Sequence, residues 1–187
     1  GTIAGNTGMA TFTTSALTAG SHAITDAYKG DSDDGPGTSA PLSQVVNLAP
    51  TKTTLIAAPS PGIAGKPVAL TATIAGNGTA AVSGMVTFTD GTTTVGSAQV
   101  SANGTATLST MLAPGAHALV ATYSGDANNN TSASAALPFT VILASTSVAL
   151  KGSGSPAVVL SALTFTATVT GNGGMPTGTV TFYIDGA

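Results

Sequence analysis

The sequence has no cysteine, no tryptophan, no glutamate and no arginine. Without cysteine and glutamate, two common partners for a nucleophilic or metal site are missing. Glutamate and arginine are also good helix formers, and their absence beside abundant threonine, valine and glycine argues against helices. The composition therefore predicts an all-β protein.

Charge is scarce as well. Charged residues make up 6% of the chain, against roughly 25% in an ordinary soluble domain. The four basic residues are all lysines and the formal net charge is −3, which leaves no basic surface for nucleic acid. No apolar run reaches the roughly 20 residues of a membrane helix. We expect no nucleic-acid binding and no membrane insertion, and a surface that hydroxyl and amide groups solvate, glycans cover or neighbouring modules bury.

Two blocks of sequence recur at one spacing. Residues 20–24 read like residues 115–119, which lie 95 residues later. A separate block, 71–78, reads like 166–173 at the same spacing. Two independent blocks that share one period are typical of a tandem repeat.

The position of the matches divides the chain into three segments. Residues 1–50 match only the second half of the repeat, and residues 145–187 match only its first half. One complete copy, 51–144, lies between the two half-copies. The sequence thus predicts one whole module flanked by two half-modules.

Short alternating segments in the complete copy predict strands. In segment 66–75 the apolar residues fall on alternate positions, which places them on one face of a strand. Asp90-Gly91 and Asn103-Gly104 are strong signals for tight turns between strands. Short strands at regular spacing in about 95 residues are typical of a seven-stranded sandwich.

Two strings of the central copy resemble the group 3 bacterial immunoglobulin-like repeat. Residues 84–91 read Gly-x-Val-Thr-Phe-x-Asp-Gly, and residues 115–126 read Gly-x-His-x-Leu-x-Ala-x-Tyr-x-Gly-Asp. The resemblance covers nearly the whole chain. It implies tandem immunoglobulin-like β-sandwich repeats of about 95 residues, in large secreted or cell-surface proteins where they act as spacers and adhesive stalks. It implies no catalytic site. The chain departs from the family after the Gly-Asp pair, where residues 127–130 replace an expected Asn-Phe.

We therefore expect a structural or adhesive module of a large bacterial extracellular or cell-surface protein, with no enzymatic activity, no catalytic residues and no cofactor. Its partners would be neighbouring repeats, joined by short linkers near 47–51 and 144–146 in a stalk. In a second form of this hypothesis, the last half-module of one chain is completed by the first half-module of the next, which gives a head-to-tail filament. The alternative is a carbohydrate-binding or accessory module of a secreted hydrolase. It would need an aromatic cleft or an acid pair, and aromatic residues are 4% of the chain.

The polar loop after Tyr123 is the candidate site. Asp126, Asn128 and Asn130 place oxygen atoms at positions 1, 3 and 5, and Asp31 and Asp33 repeat the first two positions. This spacing suits calcium, although the usual glycine at position 6 and glutamate at position 12 are absent. The alternative is a solvated Asn/Asp turn closed by its own backbone. In a sandwich, this loop would lie at the end where the preceding module attaches.

Two histidines and two tyrosines occupy equivalent positions in the repeat. His117 shares a strand face with Leu119, which points it toward the interior, and we expect a structural role for it and for His22. Tyr28 and Tyr123 end equivalent strands, where a buried tyrosine whose hydroxyl reaches the backbone forms a tyrosine corner. An exposed platform for sugar is the alternative, and the scarcity of aromatic residues favours core packing.

The chain also carries four N-glycosylation patterns, which begin at Asn77, Asn103, Asn129 and Asn130. Two of these are Asn-Gly turns, for which a purely structural role is favoured. Threonine and serine on strand faces could also carry O-linked sugar. Glycans are therefore a further expected partner whose attachment the sequence leaves open.

Overall fold

A computed structural model describes residues 8–78 and 80–185. These residues form strands and loops, and no helix among them is long and apolar enough to cross a membrane. The strands in chain order are β1 (Gly20–Ile24), β2 (Ala27–Tyr28), β3 (Gly37–Thr38), β4 (Leu42–Val46), β5 (Thr51–Ala58), β6 (Gly62–Ile63), β7 (Val68–Gly76), β8 (Met85–Asp90), β9 (Thr93–Gln99), β10 (Thr105–Thr110), β11 (Gly115–Tyr123), β12 (Ser132–Ala133), β13 (Leu137–Ile142), β14 (Thr146–Gly152) and β15 (Phe165–Gly171).

Strands β5 to β13 form a two-sheet sandwich. One sheet has the order β10-β7-β5, and the other has the order β6-β13-β11-β8-β9 with β12 beside the end of β11. The pairings in both sheets are antiparallel except for the short β6–β13 pair, which is parallel. The prediction of an all-β, immunoglobulin-like fold is confirmed for this part of the chain.

The core lies between the two sheets. In β7 the buried positions alternate with more exposed ones, as the period of two in the sequence predicts. Across the core, Phe88 of β8 and Tyr123 of β11 are fully buried. Full burial of one large apolar side chain contributes about 1.5–3 kcal/mol, so each of these two residues stabilises the sandwich substantially. The buried apolar side chains are Leu55, Val68, Leu70, Ala72, Ile74, Val86, Phe88, Ala106, Leu119, Ala121, Tyr123, Phe139 and Val141.

Glycines make the two predicted turns possible. Gly91 has a φ of 56° in the hairpin between β8 and β9, and Gly104 has a φ of 76° in the turn before β10. A Cβ atom at Gly104 would lie 2.9 Å from the carbonyl oxygen of Ile74, whereas a Cβ at Gly91 would meet open space. Side chains rarely adopt these φ values, and Gly104 is the more constrained of the two positions.

The strands outside the sandwich form small two-stranded sheets. Strand β14 pairs with β15 in the register that β5 and β7 use, displaced by 95 residues: Thr146 opposes Gly171 as Thr51 opposes Gly76. Strand β1 pairs with β4 in the register of β11 and β13, and β2 pairs with β3 in the register of β11 and β12, at the same displacement. These outer segments therefore repeat the pairing of the sandwich strands.

Candidate functional site

The loop after β11 is closed by the carboxylate of Asp126. The backbone N–H of Asp126 donates to the carbonyl of Asn129 at 3.0 Å, which makes a tight turn. Within that turn, Oδ1 of Asp126 accepts the backbone N–H groups of Asn128 and Asn129, both at 2.8 Å. Aspartate is favoured at such turns because its side chain satisfies backbone donors two and three residues ahead.

The other carboxylate oxygen ties the loop to the body of the sandwich. Oδ2 of Asp126 accepts the backbone N–H of Ser83 at 2.8 Å and its hydroxyl at 3.0 Å. It also accepts the hydroxyl of Tyr123 at 2.9 Å. The side-chain amide of Asn129 lies 3.0 and 3.1 Å from the two carboxylate oxygens. Asp126 thus holds together the end of β11, the loop before β8 and its own turn.

This environment shifts the pKa values of both Asp126 and Tyr123. Burial raises the pKa of Asp126, but the hydrogen bonds from Asn128, Ser83, Asn129 and Tyr123 outweigh it and hold the pKa well below its ordinary value. Burial, followed by the bond to the Asp126 carboxylate, raises the pKa of the Tyr123 hydroxyl to about 12. The pair therefore persists as a neutral phenol bonded to a carboxylate across the physiological pH range.

Tyr123 is buried as predicted, but the partner predicted for its hydroxyl was wrong. A tyrosine corner has its hydroxyl on backbone, whereas this hydroxyl donates to a side chain three residues later. The physical reason is proximity, because the turn folds the Asp126 carboxylate back over the end of β11. Tyr28 is half-buried, and a hydrogen bond with Asp31 raises its pKa.

Among residues 8–78 and 80–185 there is no cluster of three or more acidic, histidine or cysteine side chains that could hold a metal ion. Asp126 is one of the residues predicted to bind calcium. Its two carboxylate oxygens already accept seven hydrogen bonds. A cation would have to displace some of these donors. Calcium at Asp126, Asn128 and Asn130 stays a prediction, and it is tested by whether calcium raises the melting temperature of the wild type but not of an Asn128→Ala variant.

The equivalent loop in the first segment has the same geometry. Oδ1 of Asp31 accepts the backbone N–H of Asp33 at 2.9 Å and that of Asp34 at 2.8 Å. The N–H of Asp31 donates to the carbonyl of Asp34 at 2.8 Å. The hydrogen bonds that the carboxylate accepts from the backbone of Asp33 and Asp34 lower the pKa of Asp31, with a further contribution from Tyr28. Asp31 and Asp33 thus build the same turn as Asp126 and Asn128, and calcium binding there stays a prediction as well.

The Asp126 loop also binds the chain segment that enters the sandwich. The N–H of Ala49 donates to the carbonyl of Asn128, and the N–H of Asn130 donates to the carbonyl of Ala49, both at 2.8 Å. The hydroxyl of Thr51 donates to the carbonyl of Asn130 at 2.8 Å. The side-chain amide of Asn130 reaches the carbonyl of Leu48 at 3.4 Å. We call this set of contacts between 48–51 and 128–130 the junction.

The side chain of Asn129 is buried beneath the junction. Its side chain is 1% exposed, and its oxygen Oδ1 has no hydrogen-bond partner among the described residues. A Cβ atom at Gly76 would lie 3.2 Å from that oxygen. Because the amide is buried and donates to Asp126, the glycosylation pattern that begins at Asn129 is inaccessible in the folded state. The patterns at Asn103 and Asn130 stay predictions, and the one at Asn77 includes Thr79, which lies outside the described residues.

His117 forms an ion pair that the sequence did not indicate. Its Nδ1 lies 2.7 Å from Oδ2 of Asp90, and its Nε2 lies 2.8 Å from the carbonyl oxygen of Ala113. The other oxygen of Asp90 accepts the N–H of Ala118 at 2.9 Å. The hydrogen bond with Asp90 raises the pKa of His117, and the same bond lowers the pKa of Asp90. A ring that faces an acceptor at both nitrogens is suited to the imidazolium form, and neither nitrogen is free to act as a general base.

The partner of His117 could be found only from strand pairing. Asp90 is the last residue of β8, and it opposes Leu119 of β11 in the sheet. The sequence places Asp90 in a turn but does not show that β8 lies next to β11. The equivalent His22 also directs Nε2 to a carbonyl, that of Thr18, at 2.7 Å. The structural role predicted for the two histidines agrees with these contacts.

One comparison with known proteins, the match to a family model, agrees with the fold. The family model described as bacterial Ig-like domain (group 3) matches residues 54–142. A search of curated proteins finds no match for the chain. A solved structure of fibronectin(III)-like modules of CbhA from Clostridium thermocellum is 16% identical, with a TM-score of 0.40.

The alignment with that structure covers 67% of this chain and 63% of the other. A TM-score of this size is too low to establish a common fold. The family match covers nearly the whole sandwich, from β5 to the end of β13. Residues 54–142 belong to the family of group 3 bacterial immunoglobulin-like domains.

Proposed function

We propose that this chain is a spacer segment from a tandem array of immunoglobulin-like repeats of about 95 residues, in a bacterial extracellular or cell-surface protein. It holds other parts of that protein or assembly at a fixed distance and catalyses no reaction. The observation that carries the proposal is the junction, in which the linker between one repeat and the next is hydrogen-bonded to the Asp126 loop.

The repeated pairing of the outer strands supports the array. The segments 1–50 and 145–187 contain strand pairs in the registers of the central copy, displaced by 95 residues. The turns at Asp31 and Asp126 share the same backbone hydrogen bonds. On this basis 51–144 is the complete module, and the outer segments are halves of its neighbours.

A spacer needs a defined angle and distance between successive modules. A free linker would let them move independently, whereas here two backbone hydrogen bonds join Ala49 to the 128–130 segment. The Asp126 carboxylate fixes that segment to Tyr123 and Ser83. The complete module therefore carries, at the end where the chain enters it, a binding site for the incoming linker.

Two of the polar side chains that could do chemistry, Asp126 and His117, are engaged in structural contacts. Asp126 is saturated with donors, and both ring nitrogens of His117 have partners. The chain's low content of charged residues fits a surface that is partly covered by neighbouring modules. These features favour a structural role over a catalytic one.

Electron microscopy of the native protein tests the proposal. A spacer array predicts elongated rods with regularly spaced, equal-sized modules and small angles between neighbours. A Thr51→Val variant removes one hydrogen bond of the junction and should broaden the distribution of these angles, while Thr54→Val, on an exposed position of the same strand, should not. Compact particles without repeating modules would contradict the proposal.

A further inference from the structure

We propose that the loop between β6 and β7 of the complete module is a docking surface for the next repeat of the array, to which residues 145–185 belong. Residues 64 and 65 of this loop pack against Gly173 of that repeat, backbone against backbone. The inference rests on the proposed function, because the partner is the following repeat. It adds a second surface, separate from the junction, that holds successive modules in one orientation.

The two loops approach so closely that neither has room for a side chain at the point of contact. A Cβ atom at Gly65 would overlap the carbonyl oxygen of Gly173. In the other direction, a Cβ atom at Gly173 would overlap the carbonyl oxygen of Ala64 and the Cβ atom of Ala144. Glycine permits such an approach because it has no Cβ. We call this set, Ala64, Gly65, Ala144 and Gly173, the glycine contact.

The docking loop is fixed to its own module. The N–H of Ala64 donates to the carbonyl of Ile142, the last residue of β13, at 2.9 Å. The N–H of Lys66 donates to the carbonyl of Ile63 at 3.0 Å and closes a tight turn around residue 65. Ala64 also packs against the core of the sandwich. A surface held in place in this way loses little conformational entropy when a partner binds it.

The receiving loop is tied to the linker that precedes it. The N–H of Asn172 donates to the carbonyl of Ser145 at 3.2 Å. The complete module makes the same hydrogen bond 95 residues earlier, from Asn77 to the carbonyl of Pro50, at 3.0 Å. The loop that carries Gly173 therefore follows the position of the linker in both copies.

A glycine follows that asparagine in both copies. A Cβ atom at Gly78 would lie 3.0 Å from the Cβ atom of Ala49, which is the relation that Gly173 has with Ala144. The close approach of this loop to the linker alanine is thus a property of the repeat. The contact with residues 64 and 65 adds the preceding module to it.

The turn of the docking loop does not itself require glycine. Leu160, which lies 95 residues after Gly65, has a φ of 65° in an equivalent turn, where Ser161 donates to the carbonyl of Val158 at 3.0 Å. The side chain of Leu160 is fully exposed. Because this turn forms around a leucine, the reason for glycine at position 65 is the packing against Gly173.

Pulsed electron paramagnetic resonance across the joint tests the docking. The chain has no cysteine, so Thr54→Cys and Lys151→Cys, on exposed positions of β5 and β14, each carry one spin label in the full chain. A docked joint should give a single narrow distribution of distances between the labels. Gly65→Leu should at least about double the width of that distribution, because its side chain would occupy the position of the Gly173 backbone and release the two modules.

Gly173→Ala and Gly154→Ala are a matched pair in the same background. Neither glycine has a φ in the left-handed region, and a Cβ atom at Gly154 would meet open space. We expect Gly173→Ala to broaden or shift the distance distribution and Gly154→Ala to leave it unchanged. Urea denaturation of the complete module should be the same for both variants, since neither residue belongs to the sandwich, and this excludes unfolding as the cause.

Equal effects of Gly173→Ala and Gly154→Ala on the distance distribution would overturn the proposal. A wild-type distribution as broad as that of Gly65→Leu would overturn it as well. Regular rods in electron micrographs would still support the spacer function in either case, whereas compact particles would contradict the spacer function itself. Failure of the docking is therefore distinguishable from failure of the proposed function.

Discussion

The hydroxyl of Tyr123 donates a hydrogen bond of 2.9 Å to Oδ2 of Asp126. Tyr123 is fully buried at the end of β11, and Asp126 begins the turn that carries the junction. The contact therefore links the hydrophobic core to the surface that receives the linker. In the first segment, an interaction with Asp31 raises the pKa of the equivalent Tyr28.

The Asp126 carboxylate makes a large contribution to stability at neutral pH. We expect Asp126→Asn to lower the free energy of unfolding by about 2–3 kcal/mol, because an amide cannot accept all the donors that face the carboxylate. Urea denaturation followed by circular dichroism measures the change. Asp33→Asn, at an exposed position of the equivalent turn in the first segment, should change the free energy by less than about 0.5 kcal/mol.

The Asp126→Asn variant also tests how the stability of the protein depends on pH. Because the folded-state pKa of Asp126 lies below its ordinary value of 3.8, its stabilisation is present above about pH 4 and is lost as the pH falls through the folded-state pKa. The difference in stability between wild type and Asp126→Asn should therefore shrink below pH 4. A difference that stays constant from pH 7 to pH 2 would contradict this assignment.

The ion pair between His117 and Asp90 should have the opposite pH dependence, with stability lost as the pH rises. The pKa of His117 is raised above its ordinary value of 6.5. Its stabilisation is therefore fully present below pH 6.5 and is lost as the pH rises through the folded-state pKa. Thermal melts between pH 5.5 and pH 9 should show a decrease in the melting temperature of the wild type above pH 6.5.

Asp90→Asn is the matched control for the histidine. It removes the carboxylate whose hydrogen bond raises the pKa of His117, and the decrease above pH 6.5 should largely disappear. An equal decrease in both proteins would mean that another group is responsible.

The two turn glycines differ in what a side chain would meet. Gly104→Ala places a Cβ atom 2.9 Å from the carbonyl oxygen of Ile74 at a positive φ, whereas Gly91→Ala meets open space. We expect a loss of about 2–3 kcal/mol for Gly104→Ala and about 1 kcal/mol for Gly91→Ala. Urea denaturation of the two variants measures the difference, and equal losses would show that backbone strain alone decides the cost.

Local patterns allowed the strands and turns to be predicted. The alternation in β7 placed Val68, Leu70, Ala72 and Ile74 on the core face, where they are buried. Burial there follows directly from the period of two in a strand. The turn at Gly104 was predicted for an equally local reason, since glycine tolerates the positive φ that the turn requires.

The candidate site depended on contacts between distant residues. The sequence singled out Asp126 by the spacing of oxygen atoms, but the donors that occupy it include Ser83, 43 residues earlier. The ion pair of His117 with Asp90 needs the pairing of β8 with β11, which no short pattern reveals. The spacing of polar residues shows which acceptors are present; the fold decides which donors reach them.

Amide hydrogen exchange at the junction tests the central claim most directly. The N–H groups of Ala49 and Asn130 donate the two backbone hydrogen bonds that attach the linker to the Asp126 loop. In a spacer with a stiff joint, both amides should exchange at least about a hundredfold more slowly than in an unstructured peptide. Exchange of both amides at the unstructured rate, while the amides of β7 remain protected, would show a free linker and contradict the account.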